Sequence, residues 1–428
     1  MYTMKRYGFR PRKELSFKQK LLGTGLILLL YRLFSAMPLP FVDSAYVKGA
    51  ATSFGFLNLL TGGSLEDMSL MALGIGPYIT ASIVIQLLGI AIPSLGDLKK
   101  DASGKEKLKW ITVGSSVGLA LIEALGMMAG YRNQGILTSS SWAAVVIPSL
   151  LLMLGSGALS LAAWLIDDRF FGNGTSLILT AGILCYYVSD GTLLAEVITY
   201  GKDTGISVLL VTLAAVLLFL LFLYTVFLNS CEKRLPVTYA GEARARRFTG
   251  APKKNIPIKL LTGGVMPVIF ASTLISLPAL IGSLFGADGE WLSLFQTTRW
   301  LSGDPWYAAF GFVFYLALIV GFGYVCQIFY QNPAELAENL RKSGASIPGV
   351  RAGKPTADYL SAQMKWLTLL GGLFLCVTAA IPVGVSALTR LSSLSFLGTS
   401  TLIVVGTVKD TFDAWAAERP MRSYKKLL

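Results

Sequence analysis

Ten apolar runs, each near the length needed to cross a lipid bilayer, constrain this chain more than any other feature. A helix needs about 20 apolar residues to span the hydrocarbon core. Only 14% of the 428 residues are charged, against about 25% in soluble proteins. The runs cover residues 21–40, 74–93, 110–130, 142–166, 174–190, 206–229, 258–285, 306–329, 366–386 and 394–408. We therefore expect a polytopic membrane protein with helical spans.

Basic residues are unevenly shared among the segments that join these runs. Five segments carry five to eight Lys or Arg each: 1–20, 94–109, 231–259, 332–365 and 409–428. The intervening segments carry one each: 41–54, 131–141, 191–205, 286–305 and 387–393. The positive-inside rule then places both termini in the cytoplasm, which agrees with an even number of spans. A basic cytoplasmic face also suits anionic membrane lipids, and this accounts for most of the net charge of +13.

The chain lacks the residues that most enzymes use. It has no histidine, which removes the commonest general base and metal ligand. Its four cysteines have no paired or metal-binding spacing. A GSSVG sequence at 114–118 lies within a predicted span, and GVRAGKPT at 349–356 has the wrong spacing for a phosphate loop. We expect no enzymatic activity, no cofactor and no metal site.

Two ionisable residues lie inside the predicted spans. Arg32 is near the middle of the first run and Glu123 is in the third. A charge at the bilayer centre costs about 2.5–3.5 kcal/mol even on the insertion scale, so such residues often mark ion or proton paths. Pairing of Arg32 with a backbone carbonyl or a lipid phosphate explains it equally well. The sequence leaves these alternatives open.

The second run is broken at its start. Residues 74–88 read GIGPYITASIVIQLL, and the stretch 55–73 before them is too polar to cross a bilayer and too apolar for a free loop. Pro77 fits near the beginning of a helix, where its missing N–H is not needed. We predict two half-helices that meet within the membrane beside a cavity. The stripe of Ile75, Ile79 and Ile83 either packs on a neighbouring helix or forms an apolar constriction.

A similar sequence recurs 190 residues later. Residues 263–278 read GGVMPVIFASTLISLP and share the pattern Pro-x-Ile-x-Ala-Ser with residues 77–82. The two copies lie in the second span of each group of five, and an odd number of spans makes the repeat inverted. Inverted repeats fit a channel, or a secondary transporter with a polar binding site at the midline. A lipid-anchored scaffold without a pore leaves the broken span unexplained.

Several long motifs identify the chain as resembling the SecY family, the channel-forming subunits of the Sec protein translocon. The motifs are GIGPYITASIVIQLL (74–88), FGNGTSLIL (171–179), MPVIFAS (266–272), NPAELAENLRKSGASIPGVRAGKPT (332–356) and FLGTSTLIVV (396–405). The resemblance implies an all-α polytopic membrane protein with ten transmembrane helices, arranged as two inverted five-helix halves. The implied divisions are a cytoplasmic segment 1–20, a first half 21–190 with a plug at 55–72, an external hinge loop 191–205, a second half 206–408 with cytoplasmic loops 231–259 and 332–365, and a tail 409–428.

The resemblance also implies site residues. The apolar pore ring would comprise Ile75, Ile79, Thr175, Leu179, Ile269 and Ile403. A lateral gate between spans two and seven would include Thr80, Ile83, Gln86, Thr273 and Leu277. Docking of a SecA motor and the ribosome would use Arg246, Arg247, Lys253, Lys254 and Arg351. The family usually has isoleucine at Thr175 and often asparagine at Leu261, so the seal and the gate can differ here.

The implied function is that of the central protein-conducting channel of the translocon. It would move unfolded preproteins across the bacterial plasma membrane and insert membrane proteins laterally. The implied partners are SecE-like and SecG-like subunits, the SecA motor, the ribosome and the signal sequences of preproteins. The sequence contains no nucleotide site, so the energy would come from a partner.

Overall fold

Helices dominate the computed structural model. It describes residues 16–43, 55–98, 102–133, 135–139, 141–170, 172–190, 205–239, 254–261, 263–284, 294–295, 305–389 and 397–427. The helices of the first half of the chain are α1 (Phe17–Ser35), α2 (Gly55–Thr61), α3 (Gly76–Ala91), α4 (Pro93–Asp97), α5 (Ala102–Asn133), α6 (Ala143–Arg169) and α7 (Gly174–Asp190). Those of the second are α8 (Gly205–Ser230), α9 (Met266–Leu284), α10 (Pro305–Tyr330), α11 (Pro333–Lys342), α12 (Lys354–Thr389) and α13 (Leu397–Leu427). Three strands are β1 (Glu232–Tyr239), β2 (Lys254–Lys259) and β3 (Ala345–Ser346).

The apolar helices overlap the predicted spans. By length and composition, four described helices can cross a membrane: Ser103–Arg132, Ala143–Arg169, Ala309–Lys342 and Lys354–Val385. Four shorter apolar helices are Gly76–Ala91, Gly174–Val188, Ala215–Ser230 and Met266–Pro278. Helices α1 and α13 overlap the first and tenth runs. The predicted class, an all-α polytopic membrane protein, is confirmed, while the number of ten crossings stays a prediction.

The same succession of helix contacts occurs twice. In the first half α5 packs on α3 and α6, and α6 packs on α7 and α1. In the second half α10 packs on α9 and α12, and α12 packs on α13 and α8. The two halves meet where α7 packs on α13 and where α9 packs on α3 and α5. This correspondence places α3 and α9, the two copies of the sequence repeat, in equivalent positions beside the junction.

The two long loops at 231–259 and 332–365 contribute to a small antiparallel sheet that the sequence analysis did not predict. Its strand order is β2-β1-β3, so residues from both loops pair in one sheet. Leu235 and Val237 of β1 are buried while their neighbours are exposed, which is strand periodicity. They pack on Leu340 of α11 and Leu360 of α12. The pattern is short and contains Pro236, which explains why it was missed.

Several predicted boundaries differ from the helix ends. The seventh run was predicted from residue 258, but Lys254–Lys259 forms β2 and α9 begins at Met266. Helix α12 begins at Lys354, well before the predicted span at 366, so its first turns pack with the sheet. Helix α13 continues through residue 408 to Leu427, so the predicted tail is largely a continuation of the last helix. The predicted external hinge loop, 191–205, lies outside the described residues except for Gly205, which begins α8.

Candidate functional site

The predicted break in the second span is a real interruption of the helix. Helix α2 ends at Thr61, and turns lead through residues 62–75 to the start of α3 at Gly76. Gly62, Gly63 and Gly74 in these turns have positive φ, a conformation that suits glycine. Pro77 stands in the first turn of α3, as predicted. The turns therefore place irregular backbone among the membrane helices.

The start of α9 repeats this geometry. Helix α9 begins at Met266 with Pro267 as its second residue, 190 residues after Gly76 and Pro77. Gly264, which precedes it, has a φ of 58°, and its counterpart Gly74 has a φ of 54°. A left-handed glycine followed by a proline in the first helical turn fixes the entry of both helices in the same way. The sequence repeat is thus also a repeat of local structure.

The six residues predicted for the pore ring come together between the two halves. They are Ile75, Ile79, Thr175, Leu179, Ile269 and Ile403, on α3 or its N-cap, α7, α9 and α13. All six are buried. The five aliphatic side chains belong to one hydrophobic cluster. Thr175 lines a cavity together with Leu179 and Ile269.

Cavities of different character flank this cluster. One of about 840 Å³ is lined by Ile269 and Ile403 and by polar groups that include Asn229, Lys259 and Lys409. A second, of about 560 Å³, shares lining residues with it and reaches Ile79 and Leu179. A third, of about 900 Å³, is lined by Ile75 and by apolar residues of the broken segment. The aliphatic side chains thus line both the polar cavities and the cavity at the break.

Three of the five predicted gate residues line one cavity. Thr80 of α3 and Thr273 and Leu277 of α9 all border the cavity at the break. Ile83 lies one turn further along α3 in the central cluster. Gln86 is buried beyond it, and its Nε2 donates to Ser82 Oγ at 3.0 Å. The structure therefore joins α3 and α9 around the first three residues and leaves Gln86 outside this cavity.

Polar side chains along α3 and α9 form hydrogen bonds within their own helices. Thr80 Oγ1 donates to Gly76 O at 3.2 Å, and Thr273 Oγ1 donates to Ile269 O at 2.8 Å. Ser276 Oγ likewise donates to its own helix, at 2.8 Å. Hydroxyls that bond the preceding turn need no partner on a neighbouring helix. Apolar packing therefore contributes most of the α3–α9 contact.

The contact between α7 and α13 is different, because hydrogen bonds cross it. The hydroxyls of Tyr187 and Ser400 are 3.0 Å apart. Thr407 Oγ1 donates to Ser176 O at 3.4 Å and to its own helix at 2.7 Å. Separating these two helices would break polar as well as apolar contacts. Of the two seams between the halves, α7–α13 is thus the one that described hydrogen bonds cross.

The two intramembrane charges have separate surroundings. Arg32 Nη1 donates to Gly62 O at 3.2 Å and to Ser35 Oγ at 3.4 Å. Of the alternatives left open by the sequence, pairing with a backbone carbonyl is the one found. Glu123 borders the cavity at the break, next to Met127 and Thr80. The two residues have different neighbours, which gives no support to a proton relay between them.

The predicted docking residues are only partly described. Arg351 is exposed in the turn before α12, and its carbonyl accepts a hydrogen bond from Thr356 Oγ1 at 2.7 Å. Lys254 is the first residue of β2. Arg246, Arg247 and Lys253 lie outside the described residues. Of the five predicted docking residues, the structure thus describes the backbone of Lys254 and the exposed turn at Arg351.

Sequence reasoning missed polar residues that fix the broken segment. Tyr31 Oη donates to Thr61 O at 3.0 Å, and Ser35 Oγ contacts Ser64 Oγ. Asn58 and Glu66 bond each other across the turn through two hydrogen bonds of 2.8 and 3.1 Å. The available signal was the YRLFS sequence in an otherwise apolar run, because each of its polar groups requires a partner inside a membrane.

Comparison with known proteins gives consistent matches over most of the chain. The SecY family model matches residues 69–412. The protein translocase subunit SecY of Streptomyces galbus is 32% identical over 96% of this chain and 97% of its own length. That of Escherichia coli K12 is 33% identical over 92% of this chain and 89% of its own length.

Solved structures show the same fold. One described as "The structure of a protein conducting channel" has a TM-score of 0.69 and 20% identity, and covers 96% of this chain and 94% of that one. Another, "Sec61 in the Canine ribosome-channel complex from the endoplasmic reticulum", has a TM-score of 0.66 and 20% identity over the same shares. With the family model spanning the broken helix, its repeat in α9 and the cluster between them, this chain belongs to the SecY family.

Proposed function

We propose that this chain is the central protein-conducting channel of a Sec translocon in the bacterial plasma membrane, with both termini in the cytoplasm. In this role it lets unfolded preproteins cross and lets membrane proteins leave sideways into lipid. The observation that carries the proposal is the group of five buried aliphatic side chains at the broken span, which line a polar cavity through Ile269 and Ile403 and the cavity at the break through Ile75. Membership of the SecY family supports the same conclusion.

The aliphatic cluster is proposed to seal the channel. Isoleucine and leucine side chains around a narrow point exclude water and therefore ions, yet they can move apart around a polypeptide of variable shape. Thr175 is the polar member of this proposed ring. Segment 55–72 is proposed as the plug, because it lines the cavity on the other side of the cluster and returns on itself through turns.

The α3–α9 contact is proposed as the lateral gate. Its threonine and serine hydroxyls bond within their own helices, so that opening sacrifices packing and few hydrogen bonds. The hydrogen-bonded α7–α13 contact lies at the other junction of the halves and suits a hinge. A transmembrane segment that leaves through the gate would replace the lost apolar contacts with its own.

Partners are proposed from the family and from charge. A SecE-like subunit would clamp the two halves and a SecG-like subunit would join them. The SecA motor and the ribosome would dock on the sheet subdomain, whose Arg351 turn is exposed, and anionic lipids would bind the basic cytoplasmic face. The chain itself is proposed to catalyse no reaction, so a partner provides the energy.

Reconstitution tests this function. Proteoliposomes that contain the chain with its SecE-like subunit are expected to move a signal-bearing preprotein into a protease-protected state when a SecA motor and ATP are supplied. The same preprotein without its signal is the control. Uptake of a small solute driven by a proton gradient, with no preprotein movement, would instead support a secondary transporter.

The docking surface makes a separate prediction. Arg351→Glu is expected to lower motor-driven or ribosome-dependent transport by about tenfold, because a negative charge would then face acidic partners or ribosomal RNA phosphates. The measurement is partner binding to vesicles at several salt concentrations, where the native affinity should fall steeply with salt. Lys365→Glu, an exposed charge reversal further along α12, is the matched control. Equal losses in both variants would count against a specific role for Arg351.

A further inference from the structure

Three neighbouring side chains of α1 contact the end of α2. Tyr31 Oη donates to Thr61 O at 3.0 Å, Arg32 Nη1 donates to Gly62 O at 3.2 Å, and Ser35 Oγ lies against Ser64 Oγ. The last carbonyls of a helix have no partner within it, and they carry its partial negative charge. The phenol hydroxyl of Tyr31 therefore caps α2 from outside, and the guanidinium of Arg32 bonds the carbonyl of the next residue.

Close backbone approach makes these contacts possible. A Cβ on Gly62, whose φ is 71°, would lie 2.6 Å from Arg32 Nη1 and 3.0 Å from Gly182 O. A Cβ on Gly182 of α7 would lie 2.6 Å from Leu60 O and 3.2 Å from Tyr31 Oη. Both distances near 2.6 Å are shorter than a Cβ contact allows. The end of α2 is therefore seated in a site formed by α1 and α7 that only glycines permit.

The chain after α1 holds the other end of the same segment. Leu39 N donates to Met68 O and Leu70 N donates to Met37 O, each at 2.9 Å. Between the two attachments, the bonds of Asn58 with Glu66 close the segment on itself. The broken segment is thus a compact unit, and α1 and the residues that follow it supply polar contacts at both of its ends.

We propose that Tyr31, Arg32 and Ser35 form a latch that holds segment 55–72 in the closed position, with Arg32 as the principal positioning residue. This inference rests on the proposed function, in which the segment is the plug. In the closed state Arg32 is half-buried on a membrane helix, where an unpaired guanidinium is costly, so its bond to Gly62 O favours the seated plug. In the open state water enters the pore and hydrates the guanidinium. Release of the plug is thereby coupled to wetting of the channel.

A reversible cross-link tests whether release is required. Ser35→Cys with Ser64→Cys, made after Cys185, Cys231, Cys326 and Cys376 are replaced by alanine, places two thiols where the hydroxyls touch. Oxidation is expected to lower preprotein transport into vesicles at least tenfold, and reduction should restore it. Ser35→Cys alone is the control.

The outcomes separate the two claims. If fully cross-linked protein transports as fast as the protein after disulfide reduction, the latch is overturned and the channel function stands. Absence of transport in both the oxidised and the reduced protein would overturn the proposed function, and the latch with it. Block on oxidation with recovery on reduction supports both.

Substitution of the arginine tests the latch without a cross-link. Arg32→Met is expected to increase ion leak and the transport of a preprotein with a defective signal by about tenfold. This is the change in the closed-to-open equilibrium expected from loss of one hydrogen bond to a charged group. Arg32→Lys keeps the charged donor and should stay near the native level. Thr24→Ala on the same helix is the control, since the Thr24 hydroxyl donates to Lys20 O of α1. The latch would be contradicted if Arg32→Met, at native abundance, showed native ion leak and native rejection of the signal-defective preprotein. It would also be contradicted if Thr24→Ala raised both quantities as much as Arg32→Met does.

Discussion

Ile79→Asn combined with Ile269→Asn is expected to raise the ion conductance of the reconstituted channel at least tenfold and to admit preproteins with defective signals. Ile79 and Ile269 are both buried in the central cluster, and both line the cavity that also contains Thr175. A buried amide without a partner costs about 1–3 kcal/mol, and the cost disappears when water enters. The substitutions therefore favour the wetted, conducting state. Conductance across planar bilayers and transport of a signal-defective preprotein are the two measurements.

Two further variants distinguish hydration from loss of shape. Ile79→Leu with Ile269→Leu keeps the side chains apolar and of similar volume, and its conductance should stay near the native value. Thr175→Ile makes the sixth proposed ring position aliphatic and should lower any residual leak. Native conductance and native signal selection in the double asparagine variant, with the protein folded and abundant, would contradict the sealing role.

The position of the break was predictable because local chemistry determines it. Glycine and proline at residues 74, 76 and 77 cannot continue an ordinary span, and their counterparts at 264 and 267 show the same restriction. The structure confirms both helix starts and adds that Gly74 and Gly264 share a left-handed conformation. Such features depend on a few neighbouring residues, so a single sequence reveals them.

Other features depend on contacts between distant residues and could not be predicted in this way. The pairing of β1 with β3 joins Thr238 to Ser346, more than a hundred residues away. The partner of Arg32 is the backbone carbonyl of Gly62. Every residue has such a carbonyl, so the sequence does not indicate which one Arg32 bonds. The ring positions came from resemblance to the SecY family, because spacing identified only the stripe on α3. The five aliphatic residues of the proposed ring lie in one hydrophobic cluster, which supports that assignment.

A covalent link across the proposed gate is expected to have the second large effect. Thr80→Cys with Leu277→Cys places one thiol on α3 and one on α9, both at the cavity they share. In the background without native cysteines, a short bismaleimide is expected to lower preprotein transport at least tenfold. A long flexible bismaleimide should allow transport, because it lets the helices separate. The measurement is protease-protected preprotein per cross-linked channel.

The α7–α13 seam is the decisive control, because hydrogen bonds cross it, whereas the hydroxyls of Thr80 and Thr273 at the α3–α9 seam bond within their own helices. Ser176→Cys with Thr407→Cys joins α7 to α13, where the Thr407 hydroxyl bonds the backbone carbonyl of Ser176 and both residues line one cavity. If the halves pivot at α7–α13, a short link there restricts little and transport should continue. If both links block transport equally, the halves do not open preferentially at α3–α9. Transport through the short-linked α3–α9 pair at the native rate would contradict a gate at that seam. The intrahelical bonds of Thr80 and Thr273 favour the first outcome, since they survive when α3 and α9 separate.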